Sequence, residues 1–483
     1  MEQRGLVPKN GAMQQLNQAA LPALAERGIA VPDPDRRAQG IGVVHLGLGA
    51  FHRAHQAMVF DQLMRQRAGR WGVFGVAMRS TWLADALAQQ HGLYSVQVNS
   101  REGRSWQVVG ALLDTCVAAR EAARVIAMIA APSTRWVTLT VTEKGYGPGL
   151  AALLVQGLAA RREAGGAGLT IASCDNLTGN GGKLRKLCIE RAAQESGALA
   201  GWISQACAFP DSMVDRIVPA ATPERLQEAA DALGVADACA LGTECFWEWV
   251  IENRFADPRD GQALASVGVK VVADVRPFEQ AKLHMLNGSH TAMACIGAVL
   301  GLPTICDCVT QPDIGQFVHG LMTDEIMPHL SRPDVAGYRD ALLARFANPA
   351  LKHSVHQIAT DNSQKIPQRW PPSVSAQLAA GGAVEHLALA AAAWMRYCLG
   401  EDEQGDPYLL SDPLATALQA SALQHRGDAP ATVQALLGIG DIWGAGLPQD
   451  SRWTSRVTHW LGRIHAVGLL AAVREVNRAA SPG

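Results

Sequence analysis

The sequence predicts an α/β protein, with a mainly parallel sheet domain over residues 1–282 followed by a mostly α-helical domain over residues 283–483. Three observations carry this expectation. The apolar run from Ile41 to Leu46 leads directly into Gly47 and Gly49, and helical periodicity follows from His55 to Met64. Short apolar runs suited to buried strands recur as far as VKVVADV at 269–275. Beyond about residue 283 they stop, and helical patterns alternate with Pro and Gly breaks such as Pro371-Pro372. A parallel-sheet half joined to a helical half is the layout of a Rossmann-type nucleotide-binding domain with a helical substrate domain.

Taken in order, residues 1–40 are polar and are expected to wrap the surface. The strand at 41–46 with its glycine turn follows, and a cofactor cradle is assigned to Val44, Gly47, Leu48, Gly49, Ala50 and Phe51. A glycine turn lets backbone amides and a helix N-terminus approach a pyrophosphate. The third glycine of the G-x-G-x-x-G fingerprint is missing, because His52 stands there. WGVFGVAM (71–78) is the second strand. The acid that pairs with a ribose hydroxyl at its end is absent, and Arg79 occupies that corner, which leaves NAD and NADP both open.

LYSVQV (93–98) and WQVVGALL (106–113) read as a hairpin added to the sheet, and Ala118–Ala130 as a helix. RWVTLTVTE (135–143) and TIASCDN (170–176) read as further buried strands with a helix between them, and FPDSMVDRIVP (209–219) has the same form. Glu143, Asn176 and Asp215 then stand at or beyond strand ends, where ligands bind in open α/β sheets. The helical half comprises His290–Leu300, Gln316–Met327, Val335–Ala347, Leu351–Ala359, Val384–Cys398 and Val457–Val476.

With 48% apolar and 18% charged residues and a formal net charge of −2, the composition is that of a globular protein. It offers nucleic acid no basic face and a membrane no polybasic cluster. The N-terminus lacks an apolar signal core, so a cytoplasmic location is expected. The ten cysteines follow neither a disulfide nor a zinc rhythm, and H-R-A-H at His52 and His55 lacks zincin spacing. Reduced thiols and no metal site are expected.

The stretch Asp274–His290, DVRPFEQAKLHMLNGSH, places Lys282, Asn287 and His290 at K-x4-N-x2-H. At α-helical spacing these lie at roughly 0°, 140° and 80° about the axis, on one broad face. A lone set of this kind is ordinarily satisfied within a core. Its company changes that reading. HLGLGAFHRAHQA, TVTEKGY, SCDNLTGNGGK, FPDSMVDRIVPAAT, ECFWEWVIENRF, DVRPFEQAKLHMLNGSH and RFANPALKH…QIATDNSQKIPQR occur in order along the chain. Together they resemble the long-chain mannitol dehydrogenase family of polyol and sugar-acid dehydrogenases, and the last segment is most similar to its fructuronate reductases.

The resemblance implies that Lys282 is the general acid/base, that Asn176 and Asn287 hold the reacting oxygen, and that His290 orients it. It implies a proton relay through Glu279 and a substrate pocket lined by Asp215, Gln357 and Lys365. It also favours NAD over NADP, a small sugar acid or polyol as substrate, and a monomer. The expected reaction is the metal-independent interconversion of D-fructuronate and D-mannonate, with a mannitol 2-dehydrogenase type of polyol oxidation as the alternative and a silent nucleotide sensor as a remote one. The chain departs from the family in a shortened segment between Tyr146 and Ser173, in the missing ribose acid, and in Asn362, where many fructuronate reductases have Gly. Pro367 between Lys365 and Arg369 argues against one continuous helix face; either Lys365, with Arg369 if the two converge, meets a substrate carboxylate, or Lys365 binds a sugar hydroxyl and Arg369 is a surface charge.

Overall fold

The structure, a computed structural model, describes residues 13–100, 103–349 and 353–479. The chain divides into two compact units, one ending at Arg276 and the other beginning at Pro277. The first holds eleven strands among its described residues: β1 (Ile41–Leu46), β2 (Gly72–Ala77), β3 (Tyr94–Asn99), β4 (Arg104–Val109), β5 (Leu112–Val117), β6 (Trp136–Leu139), β7 (Thr170–Ser173), β8 (Ser212–Asp215), β9 (Leu241–Glu244), β10 (Glu248–Glu252) and β11 (Lys270–Val272).

Five of these form the main sheet in the order β5-β2-β1-β6-β7, every pair parallel. The alternation of adjacent residues across the pleat builds two cores. Val43, Val73 and Trp136 face one side and pack with Phe60 and Leu63 of the helix Gln56–Arg65. Val44, Val76, Val137 and Ile171 face the other, against Ile129, Leu154 and Leu158 of the helices Ala118–Ala130 and Pro148–Glu163. Both faces are covered, as buried parallel strands require. The strand order turns at β1, which lies between β2 and β6, so the crevice of a doubly wound sheet opens at the carboxyl ends of β1 and β6.

The expected hairpin is present, but it does not join this sheet. β3 and β4 are antiparallel and form a separate sheet with β9. The run 106–113 divides at Gly110: its first part belongs to β4, and its last residues open β5 at the edge of the main sheet. A Cβ at Gly110 would lie 2.5 Å from Pro32 and 2.9 Å from Arg36, so only glycine lets the strand turn there. The buried Arg36 fixes the turn by donating to the Gly110 and Leu112 carbonyls at 2.7 and 3.0 Å. β8 likewise lies outside the main sheet, antiparallel to β10 in a third sheet completed by β11. The N-terminal wrap is more than polar surface: Leu16, Leu21 and Leu24 are buried against Leu93, Val108 and Leu226.

In the second unit, the described residues contribute no strand to any sheet. Its centre is the helix Gly288–Val299, buried at every position and packed on the Ala-rich helix Glu385–Tyr397. Small side chains allow this close approach. The run 457–476 is two helices, because Gly468, at φ 84°, ends Ser451–Val467 before Leu469–Ala479 begins. Of the expected helix 351–359, Leu351 and Lys352 lie outside the described residues, and Val355–Ile358 is helical. Pro367 stands inside the helix Asn362–Arg369, contrary to expectation. It forgoes one hydrogen bond to the Ser363 carbonyl, a defect tolerable in a two-turn helix held by buried Ile366 and Trp370.

Candidate functional site

The first unit places most of its candidates at or beyond the carboxyl ends of β1, β2, β6 and β7, with Val44 inside β1 and Asp215 on β8 as the exceptions. Gly47 sits at φ 99°, where a Cβ would meet the Thr140 carbonyl oxygen at 2.2 Å, so glycine is required for two reasons. The amides of Gly47 and Leu48 donate to the Val76 carbonyl at 2.9 and 3.0 Å. This ties the turn to β2. Gly49 is extended (φ −129°, ψ −175°), and a Cβ there would meet nothing nearer than the Gly47 oxygen at 3.6 Å. Ala50 and Phe51 begin the short helix Ala50–Ala54, whose first amides have no intrahelical acceptor. The helix expected from His55 starts instead at Gln56, after a break at His55 (φ −130°, ψ −91°). Val44 lies further back in β1 and is fully buried in the core. Arg79 is exposed just past the end of β2.

His52, at the place of the third glycine, is fully buried and stacks on His45 with ring centroids 3.3 Å apart. Burial pushes His45 down to about 3 and holds His52 well below the usual histidine range, so both rings are neutral. A surface hollow of about 450 Å³ lined by Gly40, Ile41, His91 and Thr115 lies at the opposite, amino end of β1. It is not the crevice of the glycine turn.

Glu143 is exposed in a one-turn 3-10 segment, Glu143–Gly145, because β6 ends earlier than expected, at Leu139. Before it, Thr142 has φ 64° and ψ 165°, a region of backbone space that glycine alone occupies readily. The buried Asp175 holds this turn. Its carboxylate accepts the Thr142 amide at 2.7 Å, the Val141 amide at 3.2 Å and the Tyr146 hydroxyl at 2.9 Å. Burial pushes the Asp175 carboxyl up, and these donors pull it back. Tyr146 also meets the Ser173 hydroxyl, which accepts the Asp175 amide at 3.3 Å. Asn176 follows, exposed at its position beyond β7. Asp215 is buried at the end of β8, opposite Glu248.

In the second unit, Lys282 and Asn287 bound a single π-helical turn, Lys282–Asn287, between the α-helices Arg276–Ala281 and Gly288–Val299. The Gly288 amide donates to the Leu283 carbonyl five residues back. Residues five apart therefore sit one turn above each other, and Asn287 joins the face of Lys282 more closely than the 140° of a regular helix allows. Single π turns of this kind concentrate at functional sites. Glu279, one turn before Lys282, is buried.

His290 is buried 4.5 Å from the Phe346 ring and 5.8 Å from the His353 ring, measured between centroids. Burial first, then His353, Arg369, Arg345 and Lys365, hold it well below its usual range. Its Nε2 is buried and has no protein partner among the described residues. Arg369 is not a free surface charge, the reading that went with a hydroxyl-binding Lys365. One guanidinium nitrogen donates to the Asn287 carbonyl at 3.1 Å and to the Thr291 hydroxyl at 2.6 Å, and Trp370 Nε1 donates to the Gly288 carbonyl at 3.0 Å. The exit of the π turn is thus pinned to the helix Asn362–Arg369.

Lys365 is half-buried on that helix and donates to the Ile358 carbonyl at 3.3 Å. Burial, then Arg369, lowers its pKa, while Asp361 and Asp412 oppose the shift. Gln357 is exposed on the adjoining turn Val355–Ile358. Asn362 is buried, with its amide donating to Cys295 Sγ at 3.4 Å. Asp175, Thr142 and the pinning role of Arg369 escaped the sequence reading. Asp175 lies inside the quoted SCDN segment, but nothing in one sequence marks it as a clamp.

A family model described as the mannitol dehydrogenase Rossmann domain matches residues 41–260, and one described as the mannitol dehydrogenase C-terminal domain matches residues 274–465. A D-mannonate oxidoreductase of Escherichia coli (strain K12) is 38% identical over 468 residues, 89% of this chain and 94% of the relative. A mannitol 2-dehydrogenase of Phaeosphaeria nodorum is 35% identical, covering 97% of this chain and 88% of its own. Among solved structures, Pseudomonas fluorescens mannitol 2-dehydrogenase, in a ternary complex with NAD and D-mannitol, superposes with a TM-score of 0.80. That match has 30% identity and covers 96% of this chain and 100% of the other.

Proposed function

The chain belongs to the mannitol dehydrogenase family of oxidoreductases, and from that premise we propose that it interconverts D-fructuronate and D-mannonate with a nicotinamide cofactor, NAD in preference to NADP. The observation that carries the sugar-acid reading is the basic group around His290. Lys365 and Arg369 stand one turn apart on one helix, and both, with Arg345, act on the His290 ring. Partly buried cations of this kind suit a substrate carboxylate, which a neutral polyol lacks. Because Arg369 already serves Asn287 and Thr291, Lys365 is the cation left to meet the carboxylate.

The glycine turn fits a dinucleotide. It stands where the strand order reverses, and the space over Gly49 leaves the backbone open to close approach. When bound, the nicotinamide supplies or accepts the hydride. The Lys282 amine takes the hydroxyl proton during oxidation and returns it during reduction. The side-chain amides of Asn287 and Asn176 donate to the oxygen on which charge develops, each a contribution of about 3 kcal/mol. A neutral His290 presents Nε2 to the substrate, and Glu279 passes the proton onward from Lys282. Asp215, Gln357 and Lys365 read the remaining substrate groups.

The test is a panel of D-mannonate, D-mannitol and D-sorbitol, each with NAD and with NADP. D-mannonate with NAD should give the highest kcat/KM. A higher value for either polyol would move the reading to a polyol dehydrogenase.

A further inference from the structure

Thr142 is held in a conformation that its side chain opposes, and the restraint comes from another strand's end. At φ 64° and ψ 165° a non-glycine residue is strained, and such strain persists only where the surroundings impose it. Here the imposing group is one carboxylate. Asp175, 7% exposed, receives the two successive amides of Val141 and Thr142 as well as the Tyr146 hydroxyl. Its own carbonyl accepts from Asn180 Nδ2 at 3.1 Å, and that amide also donates to the Ser212 carbonyl at 2.8 Å. The clamp is therefore anchored to β8 as well as β7.

The position of the turn gives the clamp its consequence. Thr140, just beyond β6, receives the closest approach of Gly47, and its hydroxyl donates to the Gly47 carbonyl at 2.8 Å. The strained turn is thus the neighbour of the glycine turn at the reversal of strand order. We propose that Asp175 is a positioning residue for the dinucleotide: by holding Thr142 in its strained conformation, it presents the Thr142–Glu143 turn to the cofactor alongside the glycine turn. The inference rests on the reading of the chain as a nicotinamide-dependent enzyme. Asp175 itself touches only protein groups in this account and acts through the turn.

Strain supplies the test. Asp175→Asn removes the second anionic acceptor, so Thr142 relaxes out of its conformation. Thr142→Gly removes the strain, because glycine adopts these angles without a carboxylate to enforce them. Dissociation constants for NADH and NADPH are read by fluorescence titration of the full chain, with Tm as a control for folding. Asp175→Asn should weaken binding at least tenfold, Thr142→Gly should stay within threefold of wild type, and the double variant should recover to within threefold. An Asp175→Asn affinity within threefold of wild type overturns the proposal, as does a double variant no tighter than Asp175→Asn alone, which would make Asp175 a structural link only. Should Asp175→Asn fail to fold, Tyr146→Phe serves in its place, removing one donor and leaving the two amides to the carboxylate; an affinity loss beyond threefold in that variant overturns the amide clamp. If wild-type protein binds neither NADH nor NADPH, the parent reading falls and the proposal with it.

Discussion

Lys365 is the residue on which the choice of substrate turns. Its amine is half-buried, sits close to Arg369 and is held below the usual lysine pKa, so it loses its charge sooner than a free amine as pH rises. If it pairs with a substrate carboxylate, KM for D-mannonate should climb on the alkaline side while KM for the cofactor stays level. Lys365→Met should raise KM for D-mannonate at least tenfold and abolish that alkaline rise. Residual activity on D-mannitol should change less than threefold; equal losses on both substrates would assign Lys365 to a hydroxyl. Arg369→Lys tests something else. A single guanidinium nitrogen serves both the Asn287 carbonyl and the Thr291 hydroxyl, and the shorter lysine side chain cannot carry its ammonium to that place, so that variant should lose kcat on every substrate.

Among the elements, the turn after β1 makes the sharpest distinction between two glycines. Gly47→Ala puts a Cβ 2.2 Å from a backbone oxygen at a positive φ, and should cost more than about 2 kcal/mol in urea unfolding. Gly49→Ala meets open space in extended backbone, and should change stability by less than about 0.5 kcal/mol while weakening cofactor binding. Both glycines were visible in the sequence, as was the strand–turn–helix order around them. Their different reasons were not, because the Thr140 carbonyl reaches Gly47 only once β6 lies beside β1. The π turn was hidden for a related reason. The residues Lys282, Asn287 and His290 were legible as a set, yet their angular relation rested on a regular α-helix. Local propensity does not announce an i→i+5 turn, and here two carbonyls at its exit accept side chains from some eighty residues further on. Pro367 misled in the same way: its local penalty was real, and packing at Ile366 and Trp370 outweighed it.

At the scale of the whole molecule, buried histidines set the response to acid. His45, His52 and His290 stay neutral in the fold, each held below its ordinary value by burial. The unfolded chain protonates all three near pH 6.5. A group with a depressed folded pKa contributes stability that is present in full above the unfolded value and is lost as pH falls. The window for His45 runs from about 6.5 down to about 3, at roughly 1.4 kcal/mol per pH unit. Unfolding free energy should therefore decline from pH 6.5 toward pH 4.5, and His52→Asn should decline less steeply. Parallel slopes for the two proteins would place the acid sensitivity elsewhere. The two-part architecture was readable from hydrophobic patterning because burial on two faces and burial along one stripe leave different periods in a sequence. Membership of β3, β4 and β8 in secondary sheets was not, since pairing partners such as β9 and β10 are set by tertiary contacts more than a hundred residues away for β3.

The π turn at Lys282–Asn287 also decides where this chain can tolerate losing an amino acid. Deleting a residue from a regular helix rotates everything beyond it by about 100° and draws it back by about 1.5 Å. In the helix Gly288–Val299, buried on every side, that rotation would put each core side chain in its neighbour's place. A π turn already carries one residue more than an α turn needs, so removing one of its members heals the ladder and leaves the downstream phase nearly unchanged. Deleting the half-buried His284 should yield a folded protein melting within a few degrees of wild type, with Lys282 and the former Asn287 now four apart. Deleting Ala294 should abolish folding. Turnover of the His284 deletant should nonetheless fall at least a hundredfold, since the wider turn that sets the two side chains would be gone. Equal melting losses in both deletants would mean that the surplus residue is structurally indispensable. An intact rate would mean that a regular helix serves the chemistry as well, and that the extra residue is a relic of the sequence's history.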